Sequence, residues 1–340
     1  MPDLIAYISC AEARRVDVLA VDPGAMTLRL LAEVAVPGPP APVMSMAMAL
    51  SADKRVLTTA MRHPPYPADS FAIDPRTGVL RHLGSGLLPE AMAYISSVAG
   101  GRHLLGASYA ASLVCSLPVI GDVVTGPAKI WPTPEKAHCV ITSPCGQFAY
   151  VPCLGGDVIL RLRLDAASGE LTALESVPVR PGAGPRHLRF APSAPFAYCV
   201  NELDATIDVY AFDAARGALA HVQMVRQLPE GTTGRIAAAD LHLTPDGRFL
   251  YASERMTNVL TIWAVDPLSG QLAALGRVPC EAGPRGFAID PSGRVLLCAG
   301  QASHHVGLFA IDPATGALQQ QARLAVGRNP NWIEFFLPAA

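Results

Sequence analysis

The segment GAGPRHLRFAP, 182–192, sets two arginines and a histidine among two glycines and two prolines. A planar guanidinium matches a carboxylate or phosphate with two parallel N–H donors, and an imidazole beside it can move a proton near neutral pH. A dinucleotide loop is excluded. G-x-G-x-x-G would need glycine at 187, where His187 stands, and Pro185 lacks an N–H that would face a phosphate. Other residues of the same types recur at wide spacing: His138 in EKAHCVITSP, Glu202 in YCVNEL, Arg255 in YASERMTN and Arg285 in GPRGFAIDP. If they share one rim, arginines, a histidine and a glutamate would bind an anionic small molecule. H-E-x-x-H, G-x-S-x-G and P-loop patterns are missing, so zinc-protease, esterase-elbow and nucleotide-hydrolase chemistry have no motif to rest on.

The elements that carry these residues come from a repeat. One cassette reads LAVDPGAMTL (19–28), FAIDPRTGVL (71–80), LRLDAASGEL (162–171), YAFDAARGAL (210–219), WAVDPLSGQL (263–272) and FAIDPATGAL (309–318). A degenerate copy, SLPVIGDVVTG (116–126), brings the number to seven. Each is an alternating strand, a turn and a second strand: Asp bonds the turn backbone, Pro presets φ, and Gly accepts the left-handed conformation. A second hairpin cassette precedes them, as in SPCGQFAY (143–150), APSAPFAY (191–198) and TPDGRFLY (244–251). Four short strands in roughly 45–50 residues make a propeller blade. The expected fold is therefore all-β, one domain over 1–340: a seven-bladed β-propeller of four-stranded antiparallel blades. Its ends are out of phase, since LIAYIS (4–9) is a second strand and NWIEFF (331–336) a lone first strand. The C-terminal strand is thus expected to join the N-terminal blade as its innermost strand and close the ring.

The phase of the repeat sorts the loops. The uniform Asp-Gly turns share one face, and the loops that differ between blades share the other, where binding residues usually sit. The position of Arg186 holds His138, Ala239, Arg285 and Asn331 in other blades; that of Glu202 holds Arg62, Tyr109, Leu154, Arg255 and Gln301. Each has a plainer reading. A lone loop arginine is often only solvated, and His187 could simply bond a neighbouring blade. His304 and His305 could be surface rather than metal ligands, and Asp240 with His242 could close an inter-blade network.

Composition narrows the partners. About half the residues are apolar (51%), only 16% are charged, and the net charge is −2, with no basic stripe for nucleic acid and no like-charge tail. MPDLIAYISC has no basic n-region or long apolar run, and VMSMAMAL is too short to span a bilayer. Eight scattered cysteines without C-x-x-C suit buried thiols in a cytoplasmic chain. No metal and no cofactor is expected, and the oligomeric state stays open.

The segments 182–219, 244–272 and 283–318, with YVPCLGGDVILRL around Asp157, resemble the seven-bladed propeller lactonases, the family of bacterial 6-phosphogluconolactonases and fungal carboxy-cis,cis-muconate cyclases. The resemblance implies hydrolysis of a sugar-acid lactone, 6-phosphogluconolactone among the candidates, with His138, Arg186, Glu202 and Arg255 at the channel mouth. Glu202 or His138 would be the general base and Arg186 or Arg255 would stabilise the oxyanion. Arg285, Arg62, His187 and Asn331 would bind the substrate. His138 is the residue expected to titrate between pH 6 and 7, with Glu202 orienting it or the water. A muconate-type cycloisomerase and a non-enzymatic binding scaffold are the alternatives.

Overall fold

Each Asp-Gly turn is closed by its own side chain. Asp74 Oδ1 accepts from the N–H groups of Arg76 and Thr77 at 3.0 and 2.8 Å, and Gly78 N–H donates to the Asp74 carbonyl at 2.8 Å. Gly78 has φ +70°, a conformation that strains any residue with a Cβ. The turn glycine also serves the neighbouring blade. The hydroxyls of Tyr7, Tyr150, Tyr198 and Tyr251 donate to the carbonyls of Gly78, Gly217, Gly270 and Gly316 at 2.8–3.0 Å. The rings of Phe148, Phe196 and Phe249 lie so close to Gly217, Gly270 and Gly316 that a Cβ there would fall within 2.5 Å of ring carbon. The two cassettes are therefore two halves of one clasp: F-x-Y in one blade grips the turn of the next.

The computed structural model describes residues 4–38 and 43–339. These form seven antiparallel sheets arranged as a propeller, with the first strand of each sheet innermost. The inner strands are Met46–Leu50, Tyr94–Val98, Ile141–Thr142, Pro185–Phe190, Ala238–Leu243, Pro284–Ile289 and Pro330–Phe336. The second strands, such as Phe196–Asn201 and Val295–Gly300, are buried along their whole length.

The ring closes as the out-of-phase ends require. Pro330–Phe336 pairs antiparallel with Leu4–Cys10, placing Ile333 opposite Ile8 and Phe336 opposite Ile5. That sheet runs on through Arg15–Asp22 to Thr27–Ala35. With blades counted from this one, two blades depart from four even strands. In the third, the outer edge is split into Val123–Val124 and Lys129–Pro132, both paired with Leu113–Ile120. In the fourth the inner strand shrinks to Ile141–Thr142, because Pro152 on the facing strand has no N–H for the ladder.

Candidate active site

Two rings of residues, one from each blade, meet at one mouth of the channel. The first lies where the inner strands begin: Ser45, Ala93, His138, Arg186, Ala239, Arg285 and Asn331. The second is the residue after each second strand: Ala11, Arg62, Tyr109, Leu154, Glu202, Arg255 and Gln301. Four of the first ring sit in β-bulges. The pairing register skips Arg186 between Pro185 and His187, Ala239 between Ala238 and Leu241, Arg285 between Pro284 and Gly286, and Asn331 between Pro330 and Trp332. A bulge re-aims a side chain out of the ladder. His138, Arg186, Arg285, Asn331, Ser45 and Trp332 line one recess whose enclosed space, ≈ 10 Å³, admits a single small group.

The charges at this mouth are unequal. Arg186, only 1% exposed, donates from Nε to Glu202 Oε2 at 2.8 Å; Arg255 Nη2 lies 2.9 Å from Glu202 Oε1. Arg186 Nη1 also donates to the Ala239 carbonyl and, at 3.1 Å, to His187 Nε2, while Arg255 Nε donates to the Ala237 carbonyl at 3.0 Å. Arg62 Nη1 donates to Ser45 Oγ at 3.1 Å. Arg285 has no hydrogen bond or ion pair among the described residues. Burial, then the charges of Arg186, Arg255 and Arg62, hold its pKa well below the usual arginine value. Burial brings Arg186 down to about 10 despite its glutamate partner.

These contacts revise several expectations. Burial alone would raise Glu202, but Arg186 and Arg255 outweigh it and hold its pKa below the usual value. An ionised carboxylate with both oxygens on guanidiniums is a poor base, and no contact joins it to His138. The His138 ring packs 5.9 Å from Tyr109 and 5.2 Å from His187, and its buried Nδ1 has no hydrogen-bond partner. Burial first, then Arg186, His187, Arg285 and Arg62, push its pKa well below 6.5. His138 is therefore neutral at pH 6–7 rather than titrating there. Asn331 is taken up by the fold: Oδ1 accepts from Met46 N–H at 3.1 Å and Ser9 Oγ at 3.3 Å, and Nδ2 donates to the Asn329 carbonyl at 2.9 Å. His187 is committed too, to Arg186 and to Asp240 Oδ1 at 2.7 Å, so its ring has no free nitrogen for substrate, whereas Asn331 keeps its second Nδ2–H.

Other features carried no sequence signal. The residue before each third strand has positive φ although none is glycine: Arg14, Tyr66, Ser112, Asp157, Ala205, Asn258 and His304. Four of them clip the loop that enters the next inner strand. Asp157 Oδ2 accepts from Gly182 N–H at 2.7 Å, Asn258 Oδ1 from Gly283 N–H at 2.8 Å, Ser112 Oγ from Lys136 N–H at 3.0 Å and His304 Nδ1 from Asn329 N–H at 3.2 Å. His304 is thus a loop clip, and among the described residues no cluster of His, Cys, Asp and Glu is placed to hold a metal. Trp332, which lines the recess, packs edge-on against Tyr94 at 4.9 Å.

A larger cavity, ≈ 280 Å³, opens beyond Asp240, lined among others by Lys54, His242, Phe287, Trp332 and Glu334. It exceeds the mouth recess in size, but its deep charges are mutually satisfied. Asp240 is bonded to His187 and His242, and Arg189 Nη1 donates to the Tyr94 hydroxyl at 2.6 Å. Of the described arginines that line the two cavities, the one without a partner, Arg285, is at the mouth.

The family model described as "Lactonase, 7-bladed beta-propeller" matches residues 4–335. The chain is 38% identical over 333 residues to a 6-phosphogluconolactonase of Pectobacterium carotovorum subsp. carotovorum (strain PC1), covering 97% of each chain. It is also 38% identical to that of Serratia proteamaculans (strain 568), covering 97% of this chain and 98% of the relative. A solved structure, the periplasmic gluconolactonase of Pseudomonas aeruginosa, superposes with TM-score 0.89 at 28% identity over 99% of both chains. No helix among the described residues is long and apolar enough to cross a membrane.

Proposed function

The chain belongs to the seven-bladed β-propeller lactonases, and from that premise we propose that it hydrolyses an anionic sugar-acid lactone, 6-phosphogluconolactone, at the mouth built around Glu202. The observation that carries this reading is Arg285, a guanidinium without a protein partner among the described residues, set beside Arg62, Arg186 and Arg255 with Glu202 between the last two. Like charges gathered in a half-dry recess repel one another, and a phosphate dianion relieves that repulsion through bidentate bonds.

His138, neutral and flanked by cations, accepts a proton from water as the water oxygen attacks the lactone carbonyl. The carbonyl oxygen becomes an oxyanion, stabilised by the N–H groups of Arg186 and Arg255 that Glu202 and the Ala237 and Ala239 carbonyls leave free. The tetrahedral intermediate collapses by breaking the ring C–O bond, and His138 returns its proton to the departing ring oxygen. The product is the open hydroxy acid. Arg285 and Arg62 hold the phosphate away from the reacting carbon. The six buried, unpaired thiols favour a reducing compartment, so we place the enzyme in the cytoplasm.

Acid release from 6-phosphoglucono-δ-lactone and glucono-δ-lactone, with product analysis, tests the reading. Ring opening with uptake of water is expected, and faster for the phosphorylated lactone.

A further inference from the structure

We propose that Asp240 is a positioning residue for this mouth: acting through His187, it fixes the direction in which the Arg186 guanidinium points. Arginine carries only donors, so the 3.1 Å contact between Arg186 Nη1 and His187 Nε2 makes that nitrogen the acceptor. The ring proton must then sit on Nδ1, which donates to Asp240 Oδ1 at 2.7 Å. The opposite tautomer would set N–H against N–H. Asp240 selects the useful one.

Asp240 is itself pinned. It lies in the bulge of the neighbouring inner strand, where the register skips from Ala238 to Leu241. Its Oδ1 also accepts from Leu241 N–H at 3.0 Å, its Oδ2 accepts from His242 Nε2–H at 3.1 Å, and its own N–H donates to Ser253 Oγ at 3.1 Å. The His187 ring is wedged between Tyr94 at 5.3 Å and His138 at 5.2 Å, which stops it turning. Asp240, His187 and Arg186 are 6%, 3% and 1% exposed, so water cannot substitute for any link. The relay Asp240–His187–Arg186–Glu202–Arg255 starts and ends in the sixth blade and passes through the fifth. Glu202 holds one edge of the Arg186 fork, while His187 and the Ala239 carbonyl hold the other. Without the second edge, repulsion from Arg255 and Arg285 would turn the fork away from the recess.

The kinetic consequence rests on the lactone-hydrolase reading; the tautomer does not, and the experiment reads both. Gln at 187 reaches as far as Nε2 and can accept from Arg186, whereas Asn reaches only as far as Nδ1. His187→Asn is therefore expected to lose about tenfold or more in kcat with KM changed less than roughly threefold, and His187→Gln to lose under about threefold. Asp240→Ala is expected to lose about tenfold in kcat in the wild-type background and less than about threefold in His187→Gln, since its effect passes through the ring. Asp240→Asn should restore most of the activity, because its Oδ1 still accepts from His187 and Leu241. Nitrogen NMR of the wild type should show His187 protonated on Nδ1 alone. Proton on Nε2, equal loss from Asp240→Ala in both backgrounds, or His187→Asn outperforming His187→Gln would overturn the proposal. Should Asp240→Ala not fold, the NMR tautomer and the two His187 variants still decide. A wild type that opens neither lactone would sink the hydrolase reading, and the NMR tautomer would then decide the relay by itself.

Discussion

Arg186 Nε donates to Glu202 Oε2 at 2.8 Å, tying the start of an inner strand to the loop at the far end of the same hairpin, sixteen residues away. With Arg255 on the other oxygen at 2.9 Å, the glutamate is a clamp between two cations. Its negative charge sets how strongly the mouth repels itself.

Glu202→Gln is therefore expected to lower kcat by roughly 10²-fold, the scale of a misplaced electrostatic stabiliser, while KM for a phosphorylated lactone holds or falls because the mouth has become more positive. Steady-state kinetics check it. A rise in KM with kcat unchanged would make Glu202 a ligand instead.

His138 works as a base only when deprotonated. Burial and the surrounding arginines hold its pKa well below 6.5, so kcat/KM for glucono-δ-lactone, which carries no phosphate to titrate near pH 6, is expected to stay flat from pH 6 to 8 and to fall only on the acid side of that range. His138→Gln should lose about 10²-fold or more in kcat. A limb centred near pH 6.5 that disappears in the variant would show a normally titrating base.

The same burial has a cost in acid. His187 is brought down to about 3 by burial and the Arg186 charge, so the folded chain does not take up the proton that the unfolded chain binds below pH 6.5. The unfolded state then holds more protons, and stability from this residue is lost as pH falls, by about 1.4 kcal/mol per pH unit until the folded value is approached. Urea unfolding at pH 6 and pH 5 should give a steeper decline for the wild type than for His187→Gln. Parallel declines would mean that the ring titrates normally.

Removing 330–340 takes away the inner strand of the closing blade, with buried Ile333, Phe335 and Phe336. Three such side chains contribute about 5–9 kcal/mol together, comparable with the whole stability of a typical domain. A truncated chain should show no cooperative melt. A melt within a few degrees of wild type would mean that the ring does not depend on this closure.

The blades were legible because their turns are local chemistry. Asp, Pro and Gly at fixed offsets can do little but close a hairpin, and F-x-Y next to them is the other half of the clasp. The ring of His138, Arg186, Arg285 and Asn331 was legible through repeat phase, since equivalent positions in a propeller converge. What each residue does there was not. Asn331 and Arg285 share a ring and each sits in a bulge, yet one is bonded to Ser9, Met46 and Asn329 while the other is unpartnered. That difference lies in neighbours hundreds of positions away. The left-handed Arg14, Tyr66 and Ala205 have no composition that announces them, and the protonation of His138 is decided by guanidiniums from other blades.

An arginine cluster built around the unpartnered Arg285 selects an anionic lactone, and one ratio tests this: kcat/KM for 6-phosphoglucono-δ-lactone over that for glucono-δ-lactone, in the wild type and in Arg285→Met. The account predicts a wild-type preference of about 10²-fold or more, the worth of two charge-assisted bonds, and a drop of at least roughly tenfold in that preference when Arg285 is removed. Equal rates on the two lactones in the wild type, or a preference untouched by Arg285→Met, would contradict it.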